Sequence, residues 1–104
     1  CASKAGTLGL MRSLAVTHAK HQILVNAVCP GWVDTEMARQ GIQRLAALTG
    51  KSYEVALAQQ MEQVPTRKMS TPAEIASLVA YLLSGTQTSI TGQSLSINNG
   101  ALML

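Results

Sequence analysis

A chain of 104 residues is at most one domain, and with 47% hydrophobic and 12% charged residues it is more apolar and less charged than most soluble domains. Its net charge of +3 comes from cations that are scattered (Lys20, Arg39, Arg44, Lys51, Arg67, Lys68) and not interleaved with aromatics, which argues against a nucleic-acid or membrane-surface binder. No run nears the roughly 18 apolar residues of a membrane span. Cys1 and Cys29 lack the spacing of a disulfide framework or a zinc site, so a reduced, cytoplasmic setting is expected. An apolar excess in so short a chain points to further covering structure or to an oligomer interface.

Ala5, Leu8, Met11, Leu14, Ala15 and His18 recur at three- and four-residue intervals, which predicts a helix over residues 2–20. Gly6 and Gly9 on that helix leave room for another element to approach closely. Residues 23–28 are short, β-branched and nearly all apolar, and they run into Pro30-Gly31. That pattern predicts a strand buried on both faces of a parallel sheet. From 34 to 65, Met37, Ile42, Leu45, Leu48, Val55, Leu57 and Met61 are interleaved with Gln and Arg, and Gly41 and Gly50 interrupt the pattern. One or two short amphipathic helices in a long insertion are expected there. Thr71 can cap a helix, Pro72 suits its first position and Glu74 falls at the capping-box position, so a helix should run over 72–84 and stop at Gly85. Residues 93–97 alternate and read as a last strand, closed by the turn-forming Asn98-Asn99-Gly100. A buried strand after a helix, followed by more of each, is α/β grammar.

The opening Cys1-Ala2-Ser3-Lys4-Ala5-Gly6 has no initiator Met and starts inside a helical pattern, so the sequence reads as part of a longer one. Four segments stand in a characteristic order: this opening, Val25-Asn26-Ala27-Val28-Cys29-Pro30-Gly31-Trp32-Val33-Asp34-Thr35, Thr71-Pro72-Ala73-Glu74-Ile75-Ala76, and Ile90-Thr91-Gly92-Gln93. Together they resemble the C-terminal portion of a short-chain dehydrogenase/reductase. They are similar in particular to 3-oxoacyl-(acyl-carrier-protein) reductases and polyketide ketoreductases. The last strand of that family usually ends in Asp-Gly-Gly, and Asn98-Asn99-Gly100 departs from it in a way that asparagine's tolerance of positive φ can accommodate.

The resemblance implies that residues 1–104 are the C-terminal portion of a Rossmann-like, doubly wound parallel sheet, with 34–65 as a substrate lid. It implies an oxidoreductase that moves hydride between NADP or NAD and a carbonyl or secondary alcohol. A 3-oxoacyl thioester is the first choice of substrate, and NADP is preferred because reductases of acyl thioesters commonly use it. Lys4 becomes the lysine of a Tyr-x-x-x-Lys pair whose tyrosine sits one position before residue 1. There it binds the cofactor ribose and draws the phenol's pKa down from ~10. The piece by itself is then expected to be inactive. Pro30 and Gly31 shape a close approach to the cofactor, the Val33 backbone pairs with the nicotinamide carboxamide, and Thr35 offers its hydroxyl to the carboxamide or the pyrophosphate. Trp32, Met37 and Ile42 become candidates for the substrate pocket. The implied assembly is a homotetramer, with no nucleic acid, membrane or metal. A 3-hydroxybutyrate-type dehydrogenase fits the same residues, and a non-catalytic binding or assembly module is the alternative of another class.

Each of these residues also has a plainer reading. Lys4 can be a solvated side chain in a first helical turn, and Thr35 or Asp34 can simply cap the next helix. Met37, Ile42, Leu45 and Leu48 can cover the core, and Trp32 can fill the gap under the insertion. Asn26, set among apolar strand residues, is expected to bond to neighbouring backbone. Cys29 reads as a small buried hydrophobe, and His18 and His21 read as surface residues at a helix end.

Overall fold

The computed structural model describes residues 2–103. Cys1 lies outside them, so of the two cysteines the structure describes Cys29, which is free and half-buried. The element order is α1 (Ala2–His18), a 3₁₀ turn (Ala19–His21), β1 (Ala27–Pro30), α2 (Glu36–Thr49), α3 (Tyr53–Glu62), α4 (Pro72–Leu83) and β2 (Ser94–Ile97). The α/β class expected from sequence is observed. The chain divides into two compact units. One runs to Cys29 and resumes over Ser77–Ser96; the other spans Pro30–Ala76 and continues from Ile97.

In the first unit, α1 buries Met11 and Ala15, with Leu8 and His18 half-buried on the same stripe. The stripe lies beside Gly92, where φ is +71° and a Cβ would stand 3.5 Å from the Ala15 Cβ. Gly6 and Gly9 do not serve a close approach among the described residues, because nothing lies within 4 Å of a Cβ placed on either.

β1 and β2 form a two-stranded sheet. Ala27 N–H donates to Gln93 O at 2.9 Å and Gly31 N–H to Ile97 O at 3.2 Å, so the partners advance together and the pair is parallel. The first strand starts four residues later than the apolar run predicts. Ahead of Ala27 the pairing turns irregular: Gly92 N–H still donates to Val25 O at 2.7 Å, and side chains supply the other bonds. Asn26 Nδ2 donates to Ile90 O at 2.9 Å, and Gln93 N–H donates to Asn26 Oδ1 at 3.1 Å. Val25 N–H donates to Thr91 Oγ1 at 3.1 Å. Asn26 is thus bonded to backbone as expected, and it ends the regular ladder. Within the described residues β1 has one neighbouring strand. Ala27, Val28 and Cys29 are half-buried and Pro30 is exposed, because a two-stranded sheet covers too little of either face.

In the second unit the insertion forms two helices. Thr35 caps α2, accepting from Ala38 N–H at 3.3 Å, and Gly50 ends it at φ +67°; Ser52 then caps α3, accepting from Val55 N–H at 3.3 Å. Gly41, expected to interrupt the pattern, lies inside α2. Its cost of about 1 kcal/mol relative to Ala is outweighed by packing. That packing is a core of Ile42, Ala46 and Ala56, with Trp32, Tyr53, Leu57 and Met69 against it.

The capping box of α4 forms as read. Thr71 N–H donates to Glu74 Oε1 at 3.0 Å, and Glu74 N–H donates back to Thr71 Oγ1 at 3.2 Å. Hydrogen bonds from the Thr71 backbone and hydroxyl, with the nearby Lys68 cation adding to them, hold the Glu74 carboxyl below its ordinary value. α4 is strongly apolar yet has no fully buried residue, and Leu83 is 81% exposed.

Candidate functional site

The chain leaves β1 at Pro30 and enters α2 at Glu36, and the loop between them is fixed residue by residue. Gly31 N–H closes the β1–β2 ladder on Ile97 O. A Cβ on Gly31 would lie 2.8 Å from the Asn98 Cβ and 3.1 Å from the Asn98 Cα, so the missing side chain admits the opposite backbone. One step on, Val33 forms a parallel bridge with Ser70. Ser70 N–H donates to Trp32 O at 2.9 Å, and Asp34 N–H donates to Ser70 O at 2.8 Å. In a parallel bridge the residue's two neighbours carry the bonds. The N–H and C=O of Val33 itself are therefore turned to the other side of the loop.

Thr35 then terminates the loop as the cap of α2. Its oxygen accepts from Ala38 N–H, which leaves the hydroxyl proton to donate elsewhere. Asp34 does not cap; it pairs with Arg39 at 3.1 Å, an exposed bridge of the kind that contributes little to stability.

Gly31, Trp32, Val33, Thr35, Met37 and Ala38 line one cavity of about 270 Å³. Five of the residues singled out from sequence thus come together here. Pro30 is exposed at the end of β1 and does not line the cavity. Trp32 lines this cavity and packs under the insertion against the α2–α3 core, the plainer of its two readings. Met37 is 82% exposed at the cavity wall. Ile42 must be reassigned. It is 0% exposed, at the centre of the helical core, and faces no cavity. Residues five apart on a helix point to different sides, so Met37 and Ile42 do not share a face.

Lys4 is exposed in the first turn of α1, in the first unit, whereas the loop belongs to the second. His18 ends α1 and His21 lies in the 3₁₀ turn; among the described residues no three His, Cys, Asp or Glu side chains converge.

Sequence reasoning missed Ser70. It is 2% exposed, it clamps the loop through both backbone groups, and its Oγ accepts from Asn99 Nδ2 at 3.0 Å. Asn99 reaches it from a turn in which Asn99 has φ +56° and Gly100 φ +83°, the positive values anticipated for Asn98-Asn99-Gly100. The local signal at Ser70 is weak, because Arg67-Lys68-Met69-Ser70 reads only as the polar approach to the Thr71 cap.

Chemically, the cavity is lined by apolar side chains, by Val33, whose donor and acceptor lie on the side away from Ser70, and by Thr35, whose hydroxyl stands at a helix start. A donor and an acceptor at adjacent positions match a primary carboxamide, which carries both complementary groups. A helix N-terminus suits a phosphate. The residues present therefore fit the nicotinamide half of a dinucleotide.

A family model described as enoyl-(acyl carrier protein) reductase matches residues 1–101. The 3-oxoacyl-(acyl-carrier-protein) reductase of Rickettsia bellii is 37% identical over 105 residues, covering 100% of this chain and 39% of that protein. Among solved structures, a short chain dehydrogenase family protein from Francisella tularensis superposes with a TM-score of 0.90 at 40% identity, covering 95% of this chain and 41% of that one. A variant of the actinorhodin polyketide ketoreductase, solved with NADPH, gives 0.89 at 36% identity, covering 96% and 38%. The chain spans 38% of the length of the first curated relatives it matches.

Proposed function

The chain belongs to the short-chain dehydrogenase/reductase family, and on that premise we propose that the intact protein is a cytoplasmic, homotetrameric, NADPH-dependent reductase of 3-oxoacyl thioesters. The observation that carries this reading is the outward-turned N–H and C=O of Val33 in a cavity shared with Thr35 and Met37. Those two groups receive the carboxamide and so orient the nicotinamide ring. Thr35 donates its remaining proton to the carboxamide or the pyrophosphate, and Met37 and Trp32 keep water from the substrate side. When bound, the cofactor supplies the hydride that reduces the carbonyl carbon. Lys4 supplies a cation that stabilises the phenolate of a tyrosine we place one position before Cys1, and that phenol protonates the new alkoxide. Neither Tyr53, in α3, nor Tyr81, in α4, has the spacing to Lys4 for that role. The names of the R. bellii relative and the NADPH-bound neighbour support the thioester and the cofactor.

The description of the matching family model favours a second reaction, reduction of a carbon–carbon double bond. One experiment separates the two. The whole reading frame containing this chain is expressed, and NADPH oxidation is followed with acetoacetyl-CoA and with crotonyl-CoA. Turnover of the first alone supports the proposal, turnover of the second alone replaces it with enoyl reduction, and turnover of neither rejects both. Lys4→Ala should abolish turnover with the fold intact. Thr35→Val should weaken NADPH binding, by about two- to tenfold for a lost bond to the carboxamide and more for one to the pyrophosphate, whereas Thr35→Ser keeps both the cap and the donor. An unchanged NADPH dissociation constant in Thr35→Val removes Thr35 from the site.

A further inference from the structure

The second unit contains another cleft, of about 330 Å³, which shares no lining residue with the cavity at Val33. Leu57 and Met61 of α3 and Met69 of the loop after it form an apolar floor, with the Tyr53 ring beside them. Arg67 and Lys68 stand on its rim.

The rim is built at a conformational cost. Arg67 has φ +60°, the left-handed region that a side chain with a Cβ avoids and that glycine occupies freely. Arg67 closes a tight turn as its fourth residue. Pro65 and Thr66 occupy the middle of the turn, Arg67 N–H donates to Val64 O at 2.8 Å, and Val64 is 3% exposed. A backbone outlier that holds a cation over an apolar hollow is an observation from which a ligand can be inferred.

The charges around the cleft select that ligand. Asp34 also lines it, but its carboxylate is bridged to Arg39. Lys68 acts electrostatically on Glu74, which offsets part of its charge, and Thr71 spends its hydroxyl on Glu74. Among the described residues Arg67 enters no salt bridge. The local surplus is therefore close to one positive charge, beside two carboxylates that would oppose a dianion. We propose that this cleft binds a monoanionic amphiphile, a fatty carboxylate of medium chain length, with its carboxylate on Arg67 and its chain over Leu57, Met61 and Met69. The cleft lies at the small end of the size range of ligand sites, which fits such a molecule.

Methionines of this chain provide the test. Met61 and Met69 line this cleft, Met37 lines the other cavity, and Met11 sits in the first unit. The protein is labelled with methyl-¹³C-methionine and titrated with octanoate, then with 1-octanol as the uncharged equivalent. Octanoate should shift the Met61 and Met69 signals saturably and leave Met11 and Met37 in place. Octanol should bind more weakly, by up to about fivefold, the effect of losing one exposed charge pair of at most about 1 kcal/mol. Arg67→Gly should weaken octanoate by a similar factor while its melting temperature is equal or higher, because glycine suits this φ. Absence of a saturable shift, a shift confined to Met37, octanol equal to octanoate, or undiminished binding in Arg67→Gly would each overturn the proposal.

Discussion

Gly31→Ala isolates what holds the site loop in place. The position allows a side chain as far as its own dihedrals go, since its φ is not positive. What forbids one is the neighbour. The added Cβ would meet the Asn98 Cβ at 2.8 Å, the Asn98 Cα at 3.1 Å and the Asn98 O at 3.4 Å. Carbon atoms in good contact sit about 3.5–4.0 Å apart, so the two backbones must separate by several tenths of an ångström or more. Separation stretches the adjacent ladder bond from Gly31 N–H to Ile97 O, already 3.2 Å. Overpacking of this kind costs about 1–3 kcal/mol, and the lower chain entropy of alanine in the unfolded state returns about 0.4–1. A net loss of about 1–2 kcal/mol should lower the melting temperature of the intact protein by roughly 2–8 °C, the range for a domain of about 150–250 residues. Gly41→Ala is the matched control. It lies inside α2 with nothing within 4 Å of its added Cβ, and should raise stability by up to about 1 kcal/mol. Melts of the two variants followed by circular dichroism should move in opposite directions. If Gly31→Ala melts with the parent and loses only NADPH affinity, Gly31 serves the cofactor and not the strand contact, and this reasoning fails.

Three further outcomes follow from the same geometry. Ile42→Ala should cost about 2–5 kcal/mol in a denaturant melt because the residue is 0% exposed, whereas Met37→Ala at 82% exposed should stay within about 0.5 kcal/mol. Asn26→Ala removes a side chain that both donates to Ile90 O and accepts from Gln93 N–H, and should cost about 1–3 kcal/mol by the same assay. Glu74 has a folded pKa lowered from the ordinary 4.5, so its contribution is complete above that value and is lost as pH falls through the folded pKa. The melting temperature of Glu74→Gln measured from about pH 6 to about pH 3 should lack that part of the parent's acid decline, and parallel curves would dismiss the capping-box carboxylate as its source.

The parts of the fold legible in sequence are those fixed by neighbours in the chain. Thr71-Pro72-Ala73-Glu74 announces α4 because both reciprocal bonds of its cap lie within four residues. The insertion's two helices are legible less directly. Gly41 looks like a break, and only the caps Thr35, Gly50 and Ser52 show that it is not. The stripe that packs is Ala38, Ile42 and Ala46 at four-residue spacing. Alanine carries little hydrophobic signal, so the larger Met37 and Leu48 draw attention although they are exposed. The start of β1 is misplaced for a different reason. Apolar character runs back to Ile23, but Asn26 puts a side chain where the ladder would continue, and hydropathy does not register which atoms carry the pairing.

The site shows the same division. Pro30-Gly31, Val33 and Thr35 are recognisable as a motif, yet the motif does not reveal why Val33 should be the residue with free backbone groups. That follows from Ser70, 37 positions away in sequence, which takes Trp32 O and Asp34 N–H and by parallel alternation leaves those of Val33 outward. Ser70 is itself held by Asn99, whose positive φ sits in the turn that departs from the family's usual Asp-Gly-Gly. The departure and the clamp are therefore one arrangement. The side-chain amide of Asn99 supplies the donor that Ser70 Oγ accepts, a bond that glycine in its place would lack. The loop's presentation of Val33 thus rests on contacts that only the folded second unit brings together, and the residue identities at 70 and 99 acquire meaning only once their partners are known.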